Sequence, residues 1–394
     1  MKGSLLIVGG GMRQSADAIF SALIEKAGGA AGKIAFIVTA SGEGPDELFR
    51  DYRADLVRLG MPEDRCLLVP IYAQHVRDER GYNAMTGDAE GLLECMEGVT
   101  GVWFTGGDQY FTNQCLIRPD GSDTALLTRL QEIYENGGVI GGSSAGAAIM
   151  SRVMIGSGNN RGVLAHPVVY GYDDYDAQCE KDDPCDPLLL CRGLGFFPHG
   201  VVDQHFNKRP RLLRLIQACL SNEEGAKMGY AVSEDTALVY HEGKIEVLGS
   251  AGVYLVDCRK AVQTGNGCYE GVVLHALHQG DRYDVATEEI VLAQESPARD
   301  KDFYPDYISD GMLHSPIFDD MMEKKLLRGV DSALEVCPKR GLPCIRGAAL
   351  HDVHGKPFLV VITYYRTAET RGWRGAHTSF AGVEIAVQSV EVAL

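Results

Sequence analysis

Short apolar runs of strand length alternate with amphipathic stretches of helix length through the first third of the chain. Residues 4–8 and 33–39 read as strands, and residues 15–27 and 45–59 read as helices. The rhythm continues with strands at 65–70, 101–105 and 138–140 and helical patterns at 89–96 and 124–136. This alternation predicts an α/β fold: a mostly parallel open sheet flanked by helices, with any site at the carboxyl ends of the strands. Gly106-Gly107 and Ser143-Ser144 each stand just past such a strand end, so both are expected at one crevice.

The pattern then loosens. Residues 171–191 carry Asp173, Asp174, Asp176, Glu180, Asp182, Asp183 and Asp186 with little periodicity, which predicts an acidic loop. Such density usually makes a solvated face, and a loop between two site segments can also form a rim that attracts cations. Extended character returns at 193–197 and 201–206, and Pro210 opens a helix to about residue 220. Four short runs, 229–232, 236–240, 244–248 and 253–257, read as a closing antiparallel meander. Beyond residue 259 the texture changes to a loop-rich stretch, a helix near 317–336, a strand near 357–364 and alternation at Val383-Glu384-Ile385-Ala386-Val387. Two units are expected: residues 1–258, and a C-terminal α+β module over residues 259–394.

A chain of 394 residues that is 45% hydrophobic can bury a sizeable core. Its net charge of −17 argues against nucleic acid and anionic membrane as partners and favours a cationic or zwitterionic one. The first apolar run ends at Gly9-Gly10-Gly11, too soon for a signal peptide or a membrane span, and a cytoplasmic location is expected. The 11 cysteines are odd in number and lack paired CxxC spacing, so reduced thiols are the expectation. Cys179, Cys185 and Cys191 recur in the acidic stretch, and chance placement is preferred there to a staple or a metal site. His275 and His278, like His351 and His354, are three apart; with no carboxylate or cysteine at a recognised ligand offset they read as surface histidines, and neither metal nor cofactor is expected.

Chemistry concentrates at Gly141-Gly142-Ser143-Ser144-Ala145-Gly146-Ala147, where a strand runs through a sharp turn into a helix. Small residues let the backbone bend tightly and aim the Ser144 hydroxyl above the sheet, with N–H groups nearby for a developing oxyanion. An ordinary glycine-rich turn with a serine cap would look the same. A serine nucleophile needs a base, and the base needs a group to hold its tautomer. His205 in Val202-Asp203-Gln204-His205-Phe206 lies at an element boundary; a core histidine is the competing reading. For its partner, Asp203 would share its strand face, while Glu234 would arrive from the following hairpin, and spacing does not choose between them.

Together, Phe104-Thr105-Gly106-Gly107-Asp108-Gln109, Ser143-Ser144-Ala145-Gly146-Ala147, Asp203-Gln204-His205-Phe206 with Arg209, Arg211 and Arg214, and Glu234-Asp235-Thr236-Ala237 resemble the cyanophycinase family of serine peptidases, relatives of the aspartyl dipeptidase peptidase E. The resemblance spans roughly residues 1–258. It implies a class I glutamine-amidotransferase-like fold, a Ser144–His205–Glu234 triad, and an oxyanion hole from the N–H groups of Gly107 and Ala145. It further implies a peptide substrate with a β-linked aspartyl-arginine unit, met by Gln109, Asn113, Asp203, Gln204, Arg209, Arg211 and Arg214, and a homodimer as an assembly. Arg211 and Arg214, three apart on a helix, would present one face to a carboxylate.

Two positions depart from the family pattern, the first mildly and without removing the nucleophile, the second bearing on substrate more than on reaction. Ser143 stands where the family more often has threonine, and Asn113 where a basic residue often helps hold the substrate carboxylate. The expected activity is hydrolysis of aspartyl peptide bonds through an acyl-enzyme; the alternatives are an α-aspartyl dipeptidase and a non-catalytic binding or assembly protein on the same fold.

Overall fold

A computed structural model describes residues 2–41, 44–72, 87–178, 183–209, 211–291, 293, 335–336, 343–374 and 378–391. The chain begins with β1 (Ser4–Val8), α1 (Ala16–Lys26), β2 (Ile34–Ile37), α2 (Pro45–Arg58) and β3 (Cys66–Leu68), followed by α3 (Leu92–Cys95) and β4 (Gly101–Phe104). Then come α4 (Gln109–Leu116), α5 (Ala125–Glu135), β5 (Val139–Ser143) and the short α6 (Ala145–Ala148). Along β1, Leu5 and Ile7 join one buried cluster while Leu6 and Val8 join another. Both faces of this sheet are therefore covered, which is why its strands are continuous apolar runs. α5 covers one face with Leu126, Leu127, Leu130 and Ile133, and α1 covers the other with Ile19, Phe20 and Leu23.

Strands β6 (Val153–Ser157), β7 (Val169–Tyr170) and β8 (Leu189–Arg192) form a small sheet, with α7 (Asn160–Ala165) and α8 (Tyr172–Gln178) between them. The acidic stretch expected as a loop is thus partly regular. α8 rests Tyr172 against Tyr110, with ring centroids 4.5 Å apart, and Asp186 accepts hydrogen bonds from Ser157 Oγ at 2.7 Å and Gly158 N at 2.8 Å. At Asp186, at least, the charge serves local structure rather than a solvated rim.

Strands β9 (Val201–Asp203) and β10 (Met228–Val232) flank α9 (Leu212–Ser221); next come β11 (Thr236–His241), β12 (Lys244–Gly249) and β13 (Val253–Asp257). The expected meander is divided. β11 and β12 extend the first sheet antiparallel to β1, whereas β10 pairs β9 and β13 in a second sheet. Residues 233–235 make the crossing between the two.

Later strands are β14 (Val262–Gly265), β15 (Cys268–Leu277), β16 (Arg282–Asp284), β17 (Ile290–Val291), β18 (Glu335–Val336), β19 (Pro343–Val353), β20 (Lys356–Arg374) and β21 (Thr378–Glu391). β16 pairs β12 in the first sheet, and β15 pairs β13 in the second while also pairing β21. The first sheet therefore runs β17-β16-β12-β11-β1-β5-β4-β2-β3, parallel from β1 to β3 and antiparallel from β1 to β17. The second runs β18-β19-β20-β21-β15-β13-β10-β9 with β14 on β15. Its core joins Leu213, Leu215 and Ile216 of α9 to Val256, Leu274 and Ile385.

Most of the helix expected at 317–336 lies outside the described residues, and its last two positions are in β18. His278, expected at the surface, is buried, its backbone N–H bonded to Asp281. Among the described residues no helix is long and apolar enough to cross a membrane.

Candidate active site

Strands β4, β5 and β1 are neighbours and run parallel, so the turns after them meet at one edge. β11 runs antiparallel to β1, with Val8 opposite Ala237, so the crossing before β11 arrives at that same edge. His205 joins them because its N–H donates to Gly9 O at 2.8 Å.

Ser144 follows β5 at φ 57 and ψ −109, a backbone state that non-glycine residues seldom occupy. The surrounding glycines make the bend feasible: a Cβ on Gly142 would lie 2.4 Å from Gly146 O, and one on Gly146 would lie 2.4 Å from Phe104 O. In the run from Val139 to Met150, Ser144 is the residue that is not buried. Its Oγ lies 2.7 Å from His205 Nε2, and His205 Nδ1 lies 2.7 Å from Glu234 Oε1.

The choice between Asp203 and Glu234 follows from where β9 ends. Asp203 is the last residue of β9, and His205 then takes φ 51, which breaks the alternation that would have put both on one face. Glu234 is held from both sides. Its N–H donates to Asn207 Oδ1 at 2.8 Å, and the adjoining Asp235 accepts from the N–H groups of Arg13 and Ser15 at 2.7 and 2.9 Å and from Ser250 Oγ at 2.5 Å.

Burial pushes the His205 imidazole below its ordinary value; the hydrogen bond to Glu234 opposes this, and the charges of Arg209 and Arg211 reinforce it. A neutral imidazole beside a hydroxyl can accept its proton. Ala145 follows Ser144 directly, and Gly107 follows Gly106 in the turn after β4. Ala145 is the first residue of α6, so its N–H has no acceptor within the helix. The Gly106-Gly107 turn lies close by, since a Cβ on Gly106 would be 3.8 Å from Ser144 Oγ.

The remaining expected contacts sort by exposure. Arg209 is exposed. Asp203, Arg211 and Arg214 are buried, and the carboxylate that Arg211 and Arg214 face in the structure is that of Asp203. Arg211 is the residue preceding α9 rather than part of it, and it donates to Gln204 O at 2.6 Å, Gln204 Oε1 at 2.7 Å and Asp203 Oδ1 at 3.3 Å. Arg214 grips Asp203 with two nitrogens and also donates to Gly158 O, tying α9 to β9 and to the end of β6. Burial alone would raise the Asp203 carboxyl, but the two guanidinium charges hold it below its ordinary value. Gln109 and Asn113 also turn to the backbone: the Gln109 amide donates to Gly156 O, and Asn113 Nδ2 donates to Arg192 O at 2.7 Å.

Gly10 and Gly11 are functional positions that sequence reasoning passed over. A Cβ on Gly10 would lie 2.4 Å from His205 Cε1, and one on Gly11 would lie 2.5 Å from Glu234 Oε2. The loop after β1 is therefore a bare shelf against which the imidazole and the carboxylate rest. In the sequence the glycine triplet marks only the end of a strand; its contact with His205 and Glu234 is long-range.

The sequence is 29% identical over 301 residues to the cyanophycinase of Synechococcus elongatus, covering 73% of this chain and 81% of that protein. It is likewise 29% identical over 301 residues to the cyanophycinase of Geminocystis herdmanii (strain PCC 6308), covering 73% and 96%. A crystal structure of a peptidase from an acI-B1 actinobacterium superposes with a TM-score of 0.48 at 21% identity, over 72% of this chain and 97% of that one. The model of peptidase family S51 matches residues 5–248, more than half of the chain, and the protein belongs to that family of peptidases.

Proposed function

We propose that this protein is a serine-type peptidase that hydrolyses aspartyl peptide bonds, β-aspartyl ones of the cyanophycin kind, on a class I glutamine-amidotransferase-like fold and in the cytoplasm. The observation that carries the reading is the hydrogen-bonded chain from Ser144 through His205 to Glu234. His205 Nε2 takes the hydroxyl proton as Ser144 Oγ attacks the scissile carbonyl, and Glu234 stabilises the imidazolium that results. The N–H groups of Gly107 and Ala145 receive the oxyanion. The imidazolium then protonates the departing amine, leaving an ester on Ser144. Water, deprotonated by the same imidazole, cleaves that ester and restores the hydroxyl.

For the substrate, Arg209 is exposed and its charge reaches His205, which makes it the cation best suited to a free aspartyl carboxylate. Asp203, Arg211 and Arg214 act from behind, holding the segment that carries His205. The names of the relatives support cyanophycin-like aspartyl-arginine units as the substrate class.

The test offers the purified protein cyanophycin and a panel of α- and β-aspartyl dipeptides and identifies the products by mass. Release of β-aspartyl-arginine, lost in Ser144→Ala, is the expected result. Cleavage of α-aspartyl dipeptides alone would assign the other specificity. No cleavage and no labelling of folded protein by a fluorophosphonate would overturn the enzymatic reading.

A further inference from the structure

Away from the triad, three side chains from distant segments meet. His166 is the residue after α7, Asp183 belongs to the insert between α8 and β8, and His354 sits at the tip of the β19–β20 hairpin. His166 Nε2 lies 3.3 Å from Asp183 Oδ2, and His354 Nε2 lies 3.1 and 3.2 Å from the two oxygens of Asp183. All the ligating atoms fall within 4.8 Å of one another. Around a tetrahedral zinc ion with bonds of about 2.1 Å, neighbouring ligand atoms are about 3.4 Å apart.

Two further observations fit a built site. His354 and Gly355 are the two residues joining paired Val353 and Lys356, and both have positive φ, 50 and 77. That turn favours asparagine, aspartate or glycine at its first position, and histidine occupies it against some backbone strain. Asp183 is also oriented independently of the histidines, because Cys185 N donates to its Oδ1 at 2.7 Å. Ligating carboxylates are commonly steadied by such an outer hydrogen bond.

The geometry points to a divalent transition-metal site, zinc first, formed by His166, Asp183 and His354 with solvent as the fourth ligand. Two imidazoles and a carboxylate suit a borderline ion rather than calcium or magnesium. The ion clamps the C-terminal hairpin to the end of α7 and to the insert between α8 and β8. It does not touch Ser144, His205 or Glu234, so its role is to hold the chain together.

The experiment strips the full chain with a chelator and titrates it with Zn2+ and, separately, Co2+, comparing the wild type with His354→Asn and Asp183→Asn. Asparagine suits the left-handed turn position, so His354→Asn keeps the hairpin while removing the ligand. The wild type is expected to bind one more ion per chain than either variant. The Co2+ form should show the strong visible bands of four-coordination without thiolate charge transfer, and the unfolding midpoint should rise with free Zn2+ only in the wild type. Equal stoichiometry in wild type and His354→Asn, including no binding by either, would overturn the site. So would a thiolate band in the ion that the variants lose, since it would place that ion on cysteine.

Discussion

Replacing Gly10 by alanine tests whether the loop after β1 sets the position of the imidazole. The new Cβ would lie 2.4 Å from His205 Cε1 and 2.7 Å from its Nε2, where ordinary contact begins at 3.4 Å. The ring must retreat by about 3.4 − 2.4 = 1.0 Å, and either 2.7 Å hydrogen bond then stretches beyond useful length. A misplacement of about 1 Å among reacting groups costs on the order of 100-fold in rate, or about 2.7 kcal/mol of barrier. The change also forces alanine to φ 105, which costs about 1–2 kcal/mol in stability. Gly28 separates the two effects: its φ is 102, but its Cβ would meet nothing closer than 3.9 Å. The assay is the rate of Ser144 labelling by a fluorophosphonate, which does not depend on knowing the substrate, with thermal unfolding measured alongside. Both variants should lose similar stability, and only Gly10→Ala should lose about 100-fold in labelling rate. Equal labelling rates in the two folded variants would refute the idea that bare backbone at Gly10 positions His205.

The pH dependence follows from the sign of the His205 shift. The imidazole must be neutral to act as base, and burial holds it below its ordinary value of about 6.5, so activity should rise with pH to a plateau reached below neutrality. Arg209→Gln removes a charge that pushes the imidazole down and should move the acid limb of kcat/KM up in pH, whereas Glu234→Gln removes the support for the imidazolium and should move it down. Asp203→Asn leaves two buried guanidinium groups facing a neutral amide and should cost about 3–5 kcal/mol in urea unfolding. Because the Asp203 carboxyl is held below its unfolded value, that stabilisation is present above about pH 3.9 and fades as pH falls through the lower folded value, so wild type and variant should converge in strong acid.

Local chemistry made the first strands and the elbow legible. Residues 4–8 form β1 as read, and the glycines around Ser144 mark a turn where larger side chains would collide. His205 was found as a candidate, but the strand read to residue 206 stops at Asp203, because the φ of His205 goes with long-range hydrogen bonds to Gly9 and Glu234 that no local pattern encodes. The meander from residue 229 has the same alternation whether its strands pair one another or divide between sheets; partner choice depended on β1 and β9, distant in sequence. Arg211 and Arg214 look like surface residues until Asp203 is known to lie beneath them. His354 could not be matched with ligands by spacing, since Asp183 stands 171 positions away.

The pairing of β15 with β13 bears on how the protein can be dissected. A version ending at Cys258 would keep every residue of the triad yet leave β13 with an unsatisfied ladder from Val253 to Asp257 and strip Val272, Leu274 and Ile385 from the cluster around α9. That margin would invite strand addition by other molecules. The last third of the polypeptide thus covers that margin of the first two-thirds, and expression trials that trim it should yield aggregates instead of a smaller working enzyme.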